Sequence, residues 1–427
     1  MNKKIQSIKG MHDCLPDDTR IFQRIEKIIK EILFSYGFNE IRTPIVEQTD
    51  LFIKTIGTFS DIVHKEMYTF LDKNGFSVSL RPENTLGCVR AVIQHNLCYE
   101  FIQRLWYLGP MFRYERPQMG RYRQFYQLGV EVFGISDPEI DAELIIMSAR
   151  FWKKLGILNH INLQINSIGS IESRINYSRD LIIFLRKYKK YFDSSLWEKI
   201  NLNPLRILDS KKELIQEILK EAPVLFDYLD KKSKNHFNVL SNFLNEANIK
   251  YIINYKLVRG LDYYNSTVFE WITNKLGSQN AICSGGRYDF LIEKLGGIQK
   301  PAIGFAIGVE RLILLMKKIN NNLFIQKEYI DLFLIRNTTI SSSKMIFFSE
   351  KIRDYFPKLK LIVDYNRNVL EKQLKIAKKY KAKIVLLLSN TLDNQNIFLF
   401  FLENGKKIKT CEKDVFFILE KIFKRGM

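Results

Sequence analysis

Residues 105–134, LWYLGPMFRYERPQMGRYRQFYQLGVEVFG, decide the fold class. Two arms rich in aromatic and β-branched residues flank a polar tip, Arg116-Pro117-Gln118-Met119-Gly120-Arg121, and this pattern predicts a long antiparallel hairpin. Side chains alternate faces along a strand, so Arg113 and Glu115 are expected on one face of the first arm. Phe125, Gln127, Gly129 and Glu131 share one face of the second arm. If the two faces coincide, a guanidinium, an amide, two carboxylates and an aromatic ring converge on one sheet surface. A solvated face with cross-strand ion pairs would use the same residue types. Gly129 tips the reading towards a site, because Gly weakens a strand unless something must approach closely.

Upstream, a helix is expected over residues 17–36. Asp17, Asp18 and Thr19 offer capping oxygens, Ile21, Ile25, Ile28 and Ile32 recur at helical spacing, and Gly37 stops it. A short strand over 39–42 runs into Pro44, and strands at 68–71 and 77–80 lead through Arg81-Pro82-Glu83 into a helix over 85–94. Downstream, residues 171–250 read as an inserted helical subdomain, rich in Lys and poor in Gly. Polar residues from Lys317 to Asn322 mark a break. Beyond it, 331–335, 360–363 and 384–388 are short apolar runs separated by helical stretches, the pattern of a small parallel α/β domain. The expected architecture is an α+β domain on an antiparallel sheet over 1–320 with its helical insertion, a linker at 321–328, and a small α/β domain over 329–427.

The composition narrows the function. Of 427 residues, 46% are hydrophobic and 26% charged, which is the balance of a globular protein. Lys and Arg number 66 against 46 Asp and Glu, and the net +20 favours a polyanionic partner, although a Lys-, Asn-, Ile- and Phe-rich coding bias would raise it too. No apolar run approaches the ~18 residues that span a bilayer, so no membrane association is expected. The N-terminal MNKKIQSIKGMHDCLPDD lacks the apolar core of a secretory signal. Five cysteines without a CxxC suggest reduced thiols and a cytoplasmic location. His95 and Cys98 lie three apart, but no second pair completes a zinc site.

Three further stretches could carry chemistry. Residues 257–264, LVRGLDYY, read otherwise as a strand-to-turn connection. Residues 284–289, SGGRYD, pair two glycines that would let backbone amides approach a ligand, unless they simply turn the chain. Residues 304–311, GFAIGVER, form a short strand running into a helix with Arg311 in its first turn. Arg259, Arg287 and Arg311 together suit a triphosphate, because guanidinium forks match phosphate geometry and keep their charge.

These stretches together resemble the class II aminoacyl-tRNA synthetases, and specifically the bacterial-type histidyl-tRNA synthetase family. Pro44, within Ile41-Arg42-Thr43-Pro44-Ile45-Val46-Glu47, resembles the dimer-interface proline of the first class motif. Phe112-Arg113-Tyr114-Glu115 with the tip and second arm resembles the second motif, and 304–311 the third. Stretches 257–264 and 284–289 resemble the two histidine-specific blocks. The resemblance spans essentially the whole chain and is strongest over 1–316. It implies ATP-dependent activation of L-histidine to histidyl-adenylate and transfer to tRNA(His). It also implies ATP as substrate with Mg2+, a homodimer, and no tightly bound structural metal.

Carried over residue by residue, the resemblance implies that Glu83, Thr85 and Gln127 hold the ammonium end of histidine. Glu131 would accept the imidazole N–H, Tyr264 would donate to the other nitrogen, and Tyr263 would complete that pocket. Arg113 and Arg259 are the implied catalytic cations, with Arg259 standing where related enzymes use a metal ion. Phe125 and Arg311 would sandwich adenine, Arg121 would reach the terminal phosphates, and Glu115 belongs to the same ATP set. Arg116, Gln118 and Arg123 are implied contacts of tRNA, and residues 329–427 the anticodon-binding domain. Twenty Lys and Arg against ten Asp and Glu give that segment +10, half the total on under a quarter of the length. Within it Leu370, Leu374 and Ala377 would line one side of a helix, with Lys372, Lys375, Lys379 and Lys383 opposite.

The chain departs from the family in places. Asn84 stands where Gly is usual, and is expected to tolerate a positive φ. Tyr114 and Tyr126 replace His on the hairpin. Asp364-Tyr365-Asn366-Arg367-Asn368 replaces a Gly-rich turn. The alternative reading is a non-catalytic paralogue that regulates histidine biosynthesis. Such paralogues usually lack the C-terminal domain and the motif arginines, whereas Arg113, Arg259 and Arg311 are all present.

Overall fold

The computed structural model describes residues 4–57, 60–210, 212–277, 279–319, 329–337, 340–366, 368–390 and 395–424. The chain divides into two compact units, Met1–Ile325 and Gln326–Met427. The expected linker at 321–328 lies outside the described residues.

In the first unit, α1 (Pro16–Ser35) buries Ile21, Ile25, Ile29, Ile32 and Leu33. At ~1.5–3 kcal/mol per buried side chain, this stripe outweighs any cap. The capping differs from the expectation. Leu15 is the N-cap without a side-chain bond, Pro16 fills the first turn where its missing N–H is harmless, and the Thr19 hydroxyl donates to the Cys14 and Leu15 carbonyls. β1 (Asn39–Glu40) ends two residues earlier than expected. β2 (Val46–Gln48), α2 (Thr49–Ile56), β3 (Tyr68–Leu71) and β4 (Ser77–Leu80) follow, and the strands form a small sheet in the order β2-β4-β3. α3 (Thr85–Gln94) has the expected bounds.

The hairpin is β5 (Gln103–Phe112) with β6 (Gln124–Phe133), in register from Gln103↔Phe133 to Phe112↔Gln124. After α4 (Pro138–Lys154) and β7 (Asn162–Ser167), the insertion supplies α5 (Ile171–Arg186), α6 (Ser194–Leu202), α7 (Glu213–Ile218) and α8 (Lys231–Glu246). The unit closes with β8 (Tyr251–Ile253), β9 (Asn265–Ile272), β10 (Ala281–Arg287), α9 (Leu291–Lys294), β11 (Ala302–Gly308) and α10 (Val309–Lys318). The main sheet has eight strands in the order β1-β5-β6-β11-β10-β9-β7-β8, antiparallel except for its two edge pairs.

Alternation along β6 sends Leu128, Val130 and Val132 into one core with α1, α4, α8 and α10. Phe125, Gln127 and Glu131 therefore face the other layer, where α2, α3, α5 and α9 pack. The hairpin thus presents its polar row between a rigid sheet and a wall of helices.

The second unit comprises β12 (Ile330–Arg336), α11 (Ser342–Tyr355), β13 (Leu361–Val363), α12 (Leu370–Lys379), β14 (Ala382–Asn390), β15 (Gln395–Phe401), β16 (Lys407–Thr410) and α13 (Glu412–Lys424). Its sheet runs β13-β12-β14-β15-β16, parallel among the first three strands and antiparallel beyond. The expected parallel domain therefore carries an added antiparallel hairpin. The stretch between β14 and β15 is too short for the dozen or so residues of a parallel crossover. Lys372, Lys375 and Lys379 are exposed on α12 as expected, but Lys383 lies on β14 and bonds Asp331 at 2.7 Å. Among the described residues, no helix is long and apolar enough to cross a membrane.

Candidate active site

A cavity of about 230 Å3 opens on the polar face of the hairpin. Glu83, Thr85, Arg113, Glu115, Arg121, Phe125, Gln127, Arg259, Tyr263, Tyr264 and Arg311 all line it. Glu131 lies beneath, with 1% of its surface exposed. Arg116 and Gln118 are exposed at the hairpin tip, and Arg123 is half-buried beside it, its guanidinium 3.7 Å from the Tyr114 ring centroid.

At one end the polar groups are buried and tightly bonded. The Glu83 carboxylate accepts the backbone N–H groups of Thr85 at 2.8 Å and Leu86 at 3.1 Å, capping α3 from the loop before it. Thr85 Oγ1 donates to Glu131 at 2.8 Å, the Tyr107 hydroxyl does so at 3.4 Å, and the Tyr288 hydroxyl bonds the second oxygen. Burial pushes the Glu131 carboxyl up to about 8, against the pull of those three hydroxyls. A carboxylate offers about four acceptor positions, so three donors leave one. Gln127 Oε1 is buried and has no partner among the described residues. Burial pushes the Tyr264 hydroxyl up to about 12, so at neutral pH it keeps its proton and can donate.

At the other end cations crowd together. Arg113 Nε donates to the Pro82 carbonyl at 2.8 Å, and its guanidinium lies 5.3 Å from the Phe125 ring centroid. Arg259 Nη1 donates to Glu270 at 2.7 Å. Arg121 pairs with Glu115 and lies 3.5 Å from Glu66. Arg311 donates to Gly120 O at 2.8 Å, Ala281 O at 2.9 Å and Gln279 at 3.0 Å. These bonds occupy its edge and leave its planar face for a ligand. Burial, then the charges of Arg113 and Arg121, pull the Arg311 guanidinium down to about 10. An anion in the cavity relieves that crowding.

Several sequence expectations are corrected. Arg113 and Glu115 do not share a strand face, because β5 ends at Phe112 and the chain turns, with the Glu115 N–H bonded to the Arg113 carbonyl. Arg287 lies outside the cavity, 1% exposed and paired with Asp141 and Asp289. Gly285 and Gly286 serve sheet packing, since a Cβ there would run into the Gly304 and Thr267 carbonyls. Asn84 sits at φ −125°, so no positive φ is needed; its side-chain oxygen accepts from Thr43 and Arg81 instead.

Sequence reasoning missed Tyr107, Tyr288, Glu270 and Ser284. Gly129 was the available signal for Tyr107: the two are cross-strand partners, and a Cβ on Gly129 would occupy the space of the phenol ring. Tyr288 stood inside a quoted motif without a role. Nothing in the local pattern singles out Glu270.

Comparisons with known proteins identify the family. A sequence model of the family Histidyl-tRNA synthetase matches residues 10–312. The histidine–tRNA ligase of Buchnera aphidicola subsp. Schizaphis graminum is 51% identical over 424 residues, 99% of this chain and 99% of that one. Among solved structures, apo S. aureus histidyl-tRNA synthetase is similar with a TM-score of 0.79 at 31% identity, covering 97% of this chain and 99% of that one. An ATP phosphoribosyltransferase regulatory subunit/histidyl-tRNA synthetase from Bacillus halodurans C is similar in fold, with a TM-score of 0.64 at 21% identity over 90% of this chain and 97% of that one.

Proposed function

The chain belongs to the histidyl-tRNA synthetase family, and from that premise we propose how its residues divide the work. The protein is a ligase that activates histidine with ATP and transfers it to tRNA. In the first step a carboxylate oxygen of histidine attacks the α-phosphorus of ATP. The acyl–phosphate bond forms as the bond to pyrophosphate breaks. In the second, a ribose hydroxyl at the tRNA 3′ end attacks the acyl carbon and AMP leaves. The substrate supplies its own nucleophile, so the protein's task is positioning and charge stabilisation.

Arg113 and Arg259 act as the catalytic cations at the α-phosphate, where negative charge crowds as the bonds exchange. Phe125 and the free face of Arg311 hold adenine between them, and Arg121 takes the terminal phosphates, with Glu115 beside it in the ATP site. Glu83, Thr85 and the oxygen of Gln127, which has no partner among the described residues, receive the ammonium. Glu131 keeps one acceptor position for the imidazole N–H, Tyr264 donates to the bare nitrogen, and Tyr263 closes the pocket. Arg116, Gln118 and Arg123 on the hairpin tip meet the acceptor end of tRNA, and the second unit meets the anticodon.

Mg2+ enters with ATP. That ion takes one or two carboxylates, substrate phosphates and several waters, and neutralises phosphate charge. The Glu115 carboxylate on the cavity wall fits such a loose site, and Glu115 would hold the ion. The partner of the homodimer rests on the Pro44 loop, which is exposed beside a groove lined by Arg90 and His95. The free-thiol cysteines are consistent with a cytoplasmic location.

The observation that carries the reading is the buried Glu131–Thr85–Tyr288 cluster beneath a cavity edged by four arginines. A buried acceptor left unpaired by a wrong side chain supports rejection by ~10⁴-fold. Pyrophosphate exchange measured with each amino acid in turn is therefore expected to respond to histidine alone. Equal exchange with serine or threonine would overturn the assignment.

A further inference from the structure

Arg259 sits in a loop without regular secondary structure, beside Gly260, yet its side chain is only 18% exposed. One contact fixes its direction. Nη1 donates to Glu270 Oε1 at 2.7 Å, and the Ser284 hydroxyl donates to the same oxygen at 2.9 Å. Glu270 is on β9 and Ser284 on β10, directly across the ladder from one another. Ser284 lines the cavity, so the contact stands at its wall. On the other flank the Tyr264 ring centroid lies 5.9 Å from the guanidinium carbon. Arg259 Nε is buried and has no partner among the described residues.

A long arginine side chain on a loop has many rotamers open to it, and a carboxylate on a strand selects one. The bond to Glu270 uses Nη1 and leaves the other terminal nitrogen, Nη2, for an incoming oxygen. From these contacts we infer that Glu270 is a positioning residue for the known reaction, holding Arg259 aimed at the α-phosphate, with Ser284 holding Glu270 in turn. The inference rests on the proposed role of Arg259. Glu270 supplies direction through a hydrogen bond, so an isosteric amide, whose oxygen also accepts, can replace it. A carboxylate serving as a metal ligand could not be replaced in that way.

The test is a double-mutant cycle on the full chain, read by histidine-dependent pyrophosphate exchange. A misaimed catalytic group costs up to ~10²-fold, so Glu270→Ala is expected to lower kcat by about 10- to 50-fold with KM for ATP changed less than about threefold. Glu270→Gln is expected to stay within about fivefold of the parent, with an unchanged Mg2+ requirement. In an Arg259→Ala background, Glu270→Ala is expected to have no further effect, because the residue it directs is gone. An equal further loss in that background overturns the inference. So does a Glu270→Gln variant as impaired as the alanine variant, or one that needs more Mg2+. If Arg259→Ala is crippled and Glu270→Ala is normal, the positioning role alone fails. If Arg259→Ala is itself near normal, the proposed role of Arg259 fails and takes this inference with it.

Discussion

Arg259 and Arg287 look alike in the sequence, each beside glycine and within four residues of a Tyr and an Asp. The fold treats them oppositely. Arg287, on a strand, bonds Asp141 through Nε at 2.9 Å, the Ile135 carbonyl through Nη1 at 3.1 Å and the Asp137 carbonyl through Nη2 at 2.7 Å. Arg259, on a loop at the cavity wall, has one carboxylate at one nitrogen and an Nε without a partner among the described residues. What separates these two arginines is how many donors the protein has already used; Arg311, whose nitrogens are also all engaged, offers only its face. Motif position alone does not tell.

The largest effect expected from this contrast is on stability. Burial pushes the Asp141 carboxyl up, but Arg287 and the His236 ring outweigh it and hold the group low. Arg287→Ala would leave that buried charge short of its main partner, at a cost of about 3–5 kcal/mol. Denaturant titration is expected to show the loss, while exchange activity per folded molecule stays near the parent's. A variant as stable as the parent would break the contrast from this side. Arg259→Ala is the mirror case. It is expected to lower the unfolding midpoint far less than Arg287→Ala, since Glu270 keeps its bond from Ser284, and to lose about 10²–10³-fold in exchange rate. Arg259→Lys should recover only part of that, since an ammonium cannot fork between two oxygens.

The same contrast explains what the sequence made legible. The hairpin was readable because period-two alternation survives from Gln103 to Phe112 and from Gln124 to Phe133. It failed for Arg113 and Glu115 because the strand ends one residue earlier, and alternation says nothing about where a ladder stops. The polar row Phe125, Gln127, Glu131 came out on one face as expected. Tyr107 and Tyr288 reach Glu131 only through strand register and a β10–β11 crossing, which local patterns do not encode. The use made of Arg287 depends on α4, some 146 residues away in the chain, and was invisible for the same reason. In the second unit the parallel runs were legible and the β15–β16 addition was not.

Glu131 extends the idea from donors to acceptors, with a smaller effect. Its folded value of about 8 lies above the ordinary carboxyl range because burial disfavours the charge. The folded state therefore holds an extra proton between the unfolded value and about 8. The stability this contributes is full below the unfolded value and is lost as pH rises through that window. Accepting an imidazole N–H favours the ionised form. KM for histidine is expected to fall as pH rises from 6.5 to 8, by at most about tenfold per unit, or about 1.4 kcal/mol. Glu131→Gln should flatten that slope while raising KM throughout. A parent profile already flat across this range would mean that Glu131 does not meet the imidazole.

The smallest effect tests the rule on surface cations of the second unit. Lys375 is exposed on α12, whereas Lys383 already bonds Asp331 at 2.7 Å. A lysine available to phosphate releases a counterion on binding, so removing it flattens the dependence of log affinity on log salt by about one unit. Lys375→Ala is expected to show that change in tRNA binding by the full chain. Lys383→Ala is expected to change the slope by less than about half a unit, because its charge is already balanced within the protein. Equal flattening by both would show that an exposed ion pair does not withhold a lysine from RNA, as its small worth in water allows, and the donor-counting rule would then hold only for buried groups. No flattening from either, with tRNA still bound, would leave the basic face of α12 a solvated surface and would move the tRNA contact elsewhere on the chain.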